Sequence, residues 1–269
     1  MQTKLNQNRI HLLDILRGYA ILAMFFVHVS FDLAYLFPTP FTVDFDKIQP
    51  FAYFSAVPFI LLSGLCSRLT RSNLLRGAKL LLIAFCFTMV TVFVLPDEPI
   101  YSGILHMLAL SMLVSGVLDA EADALEKAKN PHIKKVWETL KKAPHWLWAA
   151  ICLMTFAFML NIPHGYLGFN GLLRIDLPKQ LYQKGFLYLY GFASSNFASA
   201  DYWPVFPWMF LFLFGRFIGG YAKDGRFPKW TKANFCPPLA LLGRHSLLIY
   251  VLHQPVIYAV LWVVFLIRN

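Results

Sequence analysis

The residues best suited to chemistry lie inside apolar stretches. Asp14, Arg17, His28 and Asp32 all fall within the first of these, where a titratable side chain is costly and is a functional candidate by default. Asp14 and Arg17 are three residues apart, and His28 and Asp32 four, so each pair shares a helix face and can interact. A carboxylate one turn from an imidazole holds its tautomer and stabilises the imidazolium, as an orienting partner does for a general base. The plainer alternative is a pair of interfacial polar residues at a helix end. His28 stands eleven positions after Arg17, about 16 Å along a helix. His106, near the start of the fourth stretch, is expected near the depth of His28 and is a second catalytic candidate, against the alternative of a packing histidine. In the last stretch Arg244 and His245 stand at one end, where an anionic cofactor or a lipid headgroup could be held. His253 and Gln254 lie deeper, followed by Pro255, which predicts a kink that lines a cavity; an interhelical hydrogen bond is the alternative. Asp201, Tyr202, Trp203 and Trp208 open the sixth stretch, with aromatic side chains that suit an interfacial belt. The expected assignment is catalytic His28, Asp32 and His106; cofactor-binding Arg17, Asp14, Arg244 and His245; and substrate-binding His253, Gln254, Asp201 and Trp208.

Membrane-spanning helices must position these groups. The chain has 269 residues, of which 58% are hydrophobic and 14% charged, about half the charge of a soluble domain. Apolar runs long enough to cross a bilayer alternate with short charged segments. The expected spans are about 12–34, 51–66, 78–95, 101–118, 146–161, 203–221 and 241–267. The first is too long for a signal peptide and no cleavage site follows it. The expected fold is therefore an all-α, polytopic transmembrane helix bundle of about seven spans, forming a single membrane-embedded domain over 1–269. The four cysteines are far apart without a CxxC pair, so no metal site is expected. The net charge of +10 is read as loop lysine and arginine rather than as a nucleic-acid surface.

With the N-terminus inside, nineteen of the twenty-four Lys and Arg face the cytoplasm, as the positive-inside rule requires. The segment 119–145 then becomes a helical cytoplasmic arm near the headgroups. The segment 162–202 becomes an outer loop. Its aromatic piece at 181–197 is short for a span, and an eighth crossing there would reverse the charge bias of everything after it.

Several strings, taken together, resemble a known family. They are Leu13-Asp14-Ile15-Leu16-Arg17-Gly18 with His28 beyond; Gly103-Ile104-Leu105-His106; Phe206-Pro207-Trp208 with Gly215 and Gly219; and Leu242-Gly243-Arg244-His245-Ser246 through His253-Gln254-Pro255. The chain resembles the bacterial proteins grouped with the catalytic domain of heparan-alpha-glucosaminide N-acetyltransferase. The Arg17-to-His28 spacing also resembles the basic residue, ten residues, histidine pattern of the wider membrane acyltransferases. The resemblance implies acetyl transfer from acetyl-CoA in the cytosol to a sugar or glycan acceptor at the outer face. It implies Arg17 as the basic residue and His28 as the histidine of that pattern. No histidine lies between His28 and His106, so direct transfer and an acyl-histidine intermediate both stay open.

The function expected from these readings is a multi-pass acyltransferase of a bacterial inner membrane. It would use an acyl-CoA donor and a sugar or glycan acceptor, among membrane lipids and without nucleic acid. A proton-coupled or small-solute transporter would use the same intramembrane residues, although no repeated half is visible. A non-catalytic membrane scaffold is the third reading.

Overall fold

The computed structural model describes residues 9–37 and 44–268; Lys4, counted above for orientation, lies outside them. The described chain runs α1 (His11–Tyr35), α2 (Phe45–Ile48), α3 (Phe51–Ser67), α4 (Asn73–Val94), α5 (Ile104–Glu126), α6 (Pro131–Lys142), α7 (His145–Met159), β1 (Tyr166–Phe169), β2 (Leu173–Asp176), α8 (Val205–Lys223), α9 (Pro237–Arg244) and α10 (Ser246–Arg268). Six helices are long and apolar enough to cross a membrane: α1, α4, α5, α7 with its extension to His164, α8 and α10. The apolar α3, at 17 residues, is shorter.

The distribution of side chains explains why these helices suit a bilayer. Large apolar residues such as Leu82, Phe93, Met154 and Ile267 point outward, while Asp14, Asp32, His106, Ser111, Ser115, Arg216 and His253 are buried. Lipid, unlike water, favours apolar groups outside and polar groups paired within the protein.

The chain forms two compact units, one made of the residues up to Leu62 together with those from Phe227 onward, the other of Ser63–Arg226. Glycines let helices cross closely in each. In the first, a Cβ on Gly18 would stand 2.0 Å from the Leu239 carbonyl oxygen, and one on Gly243 would stand 1.8 Å from that of Asp14. These contacts bring α9 backbone against α1. In the second, a Cβ on Gly64 would meet the Phe212 carbonyl oxygen at 1.9 Å, and one on Gly219 that of Leu65 at 2.3 Å. Small residues at such crossings are the usual basis of close helix packing in membranes.

The structure departs from the sequence reading in three places. The last expected span, 241–267, is broken at His245, where φ −101° and ψ 16° end α9 before α10 begins at Ser246. The fourth expected span, 101–118, becomes a helix that starts at Ile104 and continues to Glu126, which carries Asp119 into regular helix. The segment 181–197, read as too short for a span, forms only short 3-10 turns, Lys179–Gln183 and Gly185–Tyr190. The loop ahead of it folds as the antiparallel hairpin β1–β2, an addition to the helical bundle. The arm is helical as expected: Asn130 caps α6 through the His132 and Ile133 amides, and Pro131 occupies its first turn.

Candidate functional site

In the first unit, the crossing of α1 and α9 gathers cations around one carboxylate. Asp14 is buried. Arg9 donates to it from Nε at 2.6 Å and from Nη2 at 3.1 Å. Arg17 approaches at 3.8 Å and Arg244 at 3.7 Å, and Arg244 also donates to His11 Nδ1 at 3.3 Å. The longer approaches leave guanidinium N–H groups available, since each guanidinium carries five donors in a fixed fork. Arg17 and Arg244 keep side-chain exposures of 23% and 34%. The arrangement suits the bidentate capture of a phosphate-bearing ligand. His245, at the break between α9 and α10, is exposed.

Further along α1 the same unit holds a second polar group. Gln254 Nε2 donates to Asp32 Oδ1 at 2.8 Å. The His28 and His253 rings meet edge-on, with centroids 4.6 Å apart. His253 Nδ1 donates to the Tyr250 carbonyl oxygen, so in the neutral ring Nε2 carries the lone pair. Three acceptors here are buried and have no hydrogen-bond partner among the described residues: Asp32 Oδ2, Gln254 Oε1 and His253 Nε2. A buried polar atom without a partner is costly, and three in one cluster mark a place shaped for something that brings donors. The hydrogen-bonding partner of Asp32 is therefore Gln254, where the i, i+4 spacing had suggested His28. His28 instead faces His253.

In the second unit, Asp201 lies in the segment leading to α8. Its Oδ2 accepts from the Ile104 amide at 2.9 Å, capping α5 from a distant part of the chain. A Cβ on Gly103 would stand 2.5 Å from that oxygen, so the glycine makes room for the cap. Burial pushes the Asp201 carboxyl up to about 6, opposed by hydrogen bonds from Ile104 and Trp203. In α5, His106 is buried. Thr88 donates its hydroxyl to the Ile100 carbonyl at 2.7 Å and therefore accepts from His106 Nε2 at 3.2 Å. His106 Nδ1 is buried without a partner among the described residues. Trp208 packs against Trp203 and Phe156 at centroid distances of 4.6 and 5.5 Å.

A further cluster in this unit was not singled out from sequence. Asp119 accepts from Arg216 at 2.8 Å, Arg68 at 3.1 Å and Asn73 at 2.9 Å. Arg216 also donates to Ser115. Burial, and then the neighbouring Arg216 guanidinium, holds Arg68 below its ordinary value, against the pull of Asp119. The available signal was Ser111, Ser115 and Asp119 at four-residue intervals on one face of an apolar helix. Counting Arg68 and Arg216 as loop charges hid it.

A family model described as "Heparan-alpha-glucosaminide N-acetyltransferase, catalytic" matches residues 9–125 and 137–255. The chain belongs to this family. Membership, together with six apolar helices of spanning length, makes it an integral membrane protein of acetyltransferase type. The matched segments include both ends of the first unit's clusters, from Arg9 to Gln254. Comparison with curated proteins finds no match, and neither does comparison with solved structures.

Proposed function

We propose that this acetyltransferase moves an acetyl group from acetyl-CoA, held by Arg17 and Arg244 beside Asp14, to an amine or hydroxyl of a sugar bound beside His28. In this reading the N-terminus and the arginine end of α1 face the cytosol. The acceptor site faces the opposite side of a bacterial inner membrane. The observation that carries the proposal is the set of three buried acceptors on Asp32, Gln254 and His253 that have no partner among the described residues. An acceptor sugar offers what that set lacks, several N–H or O–H donors on one small molecule.

The chemistry follows from the groups present. His28 removes a proton from the acceptor nitrogen or oxygen. That atom attacks the thioester carbonyl, the C–S bond breaks, and the coenzyme A sulfur leaves and takes up a proton. Asp32, Gln254 and His253 orient the acceptor, and close placement of the two reactants supplies much of the rate gain. Arg17 and His28 are eleven residues apart on α1, about 16 Å along the helix, a gap that the pantetheine arm of coenzyme A can bridge. His106, with its unpartnered Nδ1, remains the second histidine available to hold a proton or an acyl group.

The test is an acetyl-CoA titration of the purified full chain in detergent, repeated with Arg17→Ala and Arg244→Ala, followed by mass analysis of amino-sugar acceptors. Saturable binding weakened in both variants, with an acetylated sugar that requires His28, is the expected result. Binding that ignores both arginines, or solute flux in proteoliposomes without any acetylated product, overturns the proposal.

A further inference from the structure

The arm between α5 and α7 is amphipathic and its apolar side is uncovered. Ile133, Val136, Trp137 and Leu140 recur at helical spacing on α6, and Ile133, Val136 and Leu140 are 44%, 61% and 41% exposed. With Leu125 of α5 and His132 they line a shallow, apolar cleft of about 260 Å³. The Trp137 Nε1–H is buried at this cleft and has no partner among the described residues. Between residues 126 and 142 there are six lysines and two glutamates. Lys141 pairs with Glu126 at 3.1 Å, which folds the end of α6 back onto the end of α5. Lys134 lies beside the apolar stripe, while Lys135 and Lys142 lie across the helix from it. The arm joins two helices of spanning length, α5 and α7, so it stands at a membrane face. The family model passes over residues 126–136, so the start of the arm is not part of what the family shares.

We infer that α6 and the end of α5 form a site for an anionic phospholipid of the surrounding bilayer. An acyl chain fills the cleft over Leu125, Val136 and Trp137. Lys134, Lys135 and Lys142 supply the charge that favours an acidic headgroup over a zwitterionic one. The stripe supplies the apolar area by which an interfacial helix holds to the headgroup boundary; the Lys134 stem reaches outward along its edge, while Lys135 and Lys142 add charge from the opposite face. The site depends on neither the acetyl donor nor the acceptor.

The test uses the full chain, with its native cysteines replaced, reconstituted in phosphatidylcholine vesicles. A fluorescent label is placed at Val136→Cys on the apolar stripe, or at Glu138→Cys on the opposite face as the control. Lipids carrying a quencher on the acyl chain are added as phosphatidylglycerol or as phosphatidylcholine. Phosphatidylglycerol should quench the Val136 label about fivefold more than phosphatidylcholine does, given the usual worth of basic residues near an anionic surface. The combined K134E, K135E and K142E variant, which keeps the Lys141–Glu126 pair, should erase that preference while quenching by phosphatidylcholine persists. Persistence of that quenching also shows that the arm still folds. Equal quenching by the two lipids in the unaltered chain overturns the inference. So does a Val136 label that only an aqueous quencher reaches, which means a solvated arm, or one that neither quencher reaches, which means a covering protein.

Discussion

The two units carry the same ingredients, a carboxylate with arginines and a histidine apart from them, and use them in opposite ways. Around Asp119 the donors are short and complete: Arg216, Arg68 and Asn73 reach it within 3.1 Å, and Arg216 is only 5% exposed. Around Asp14, Arg9 makes the short contacts, while Arg17 and Arg244 stay beyond 3.6 Å and reach solvent. The histidines differ in the same direction. His106 gives Nε2 to Thr88 in a helix capped by Asp201 and leaves one nitrogen, Nδ1, unpartnered among the described residues. His28 and His253 lie beside three acceptors without a partner among the described residues. A satisfied polar cluster rigidifies a fold, whereas an unsatisfied one costs stability unless a ligand completes it. The second unit is therefore read as the scaffold and the first as the place of chemistry.

Mutations can break that contrast. The largest expected effect is on turnover: His28→Ala should lower acetyl transfer by roughly 10²–10⁴-fold, the usual loss of a general base, with the thermal midpoint in detergent unchanged. An equal loss in His106→Ala, measured in the same assay, would move the chemistry to the second unit. Next, Arg216→Leu takes the closest cation from Asp119, whose side chain is 40% exposed, and should cost about 1.5–3 kcal/mol, the scale of a hydrogen bond between charged groups, seen as a weakened monodisperse peak on gel filtration. The matched change Arg244→Ala should leave that peak intact.

The third prediction concerns pH. With its carboxyl raised to about 6, Asp201 binds its proton more tightly in the folded state than in the unfolded one. Its contribution to stability is fully present below the ordinary carboxyl range and is lost as pH rises through about 6. Asp201→Asn should remove up to about 3 kcal/mol of stability difference between pH 4 and pH 7, read as a flatter profile of thermal midpoint against pH. An unchanged profile would mean that the carboxyl is hydrated. The smallest effect sharpens the comparison most. Arg17→Ala and Arg244→Ala should each weaken acetyl-CoA binding about tenfold, the scale of one charge-assisted contact, with stability shifted by no more than about 0.5 kcal/mol.

Much of the architecture was legible because lipid imposes a simple rule on sequence. A segment that crosses must be apolar for its full length and must satisfy its backbone internally, so apolar runs such as 12–34 and 78–95 announced α1 and α4 directly. The titratable residues of α1 stood out for the same reason, because Asp14, Arg17, His28 and Asp32 violate that rule. The break at His245 was not legible: Arg244, His245 and Ser246 are all compatible with continued helix, and the end of α9 is set by its packing on α1 through Gly243. The hairpin β1–β2 was hidden in a segment read only as an outer loop.

Pairing was the part that sequence could not decide. The spacing of His28 and Asp32 on one face is a property of the chain alone, and it offers an interaction without requiring it. The structure gives Asp32 to Gln254 and His28 to His253, residues more than two hundred positions away. Likewise Asp119 read as the start of a solvated arm until α5 carried it onto Arg216. Local periodicity determines which residues share a helix face, because that depends only on helix geometry. Which groups then become partners depends on how closely two helices approach, and here that approach is set by glycines whose neighbours are distant in the chain.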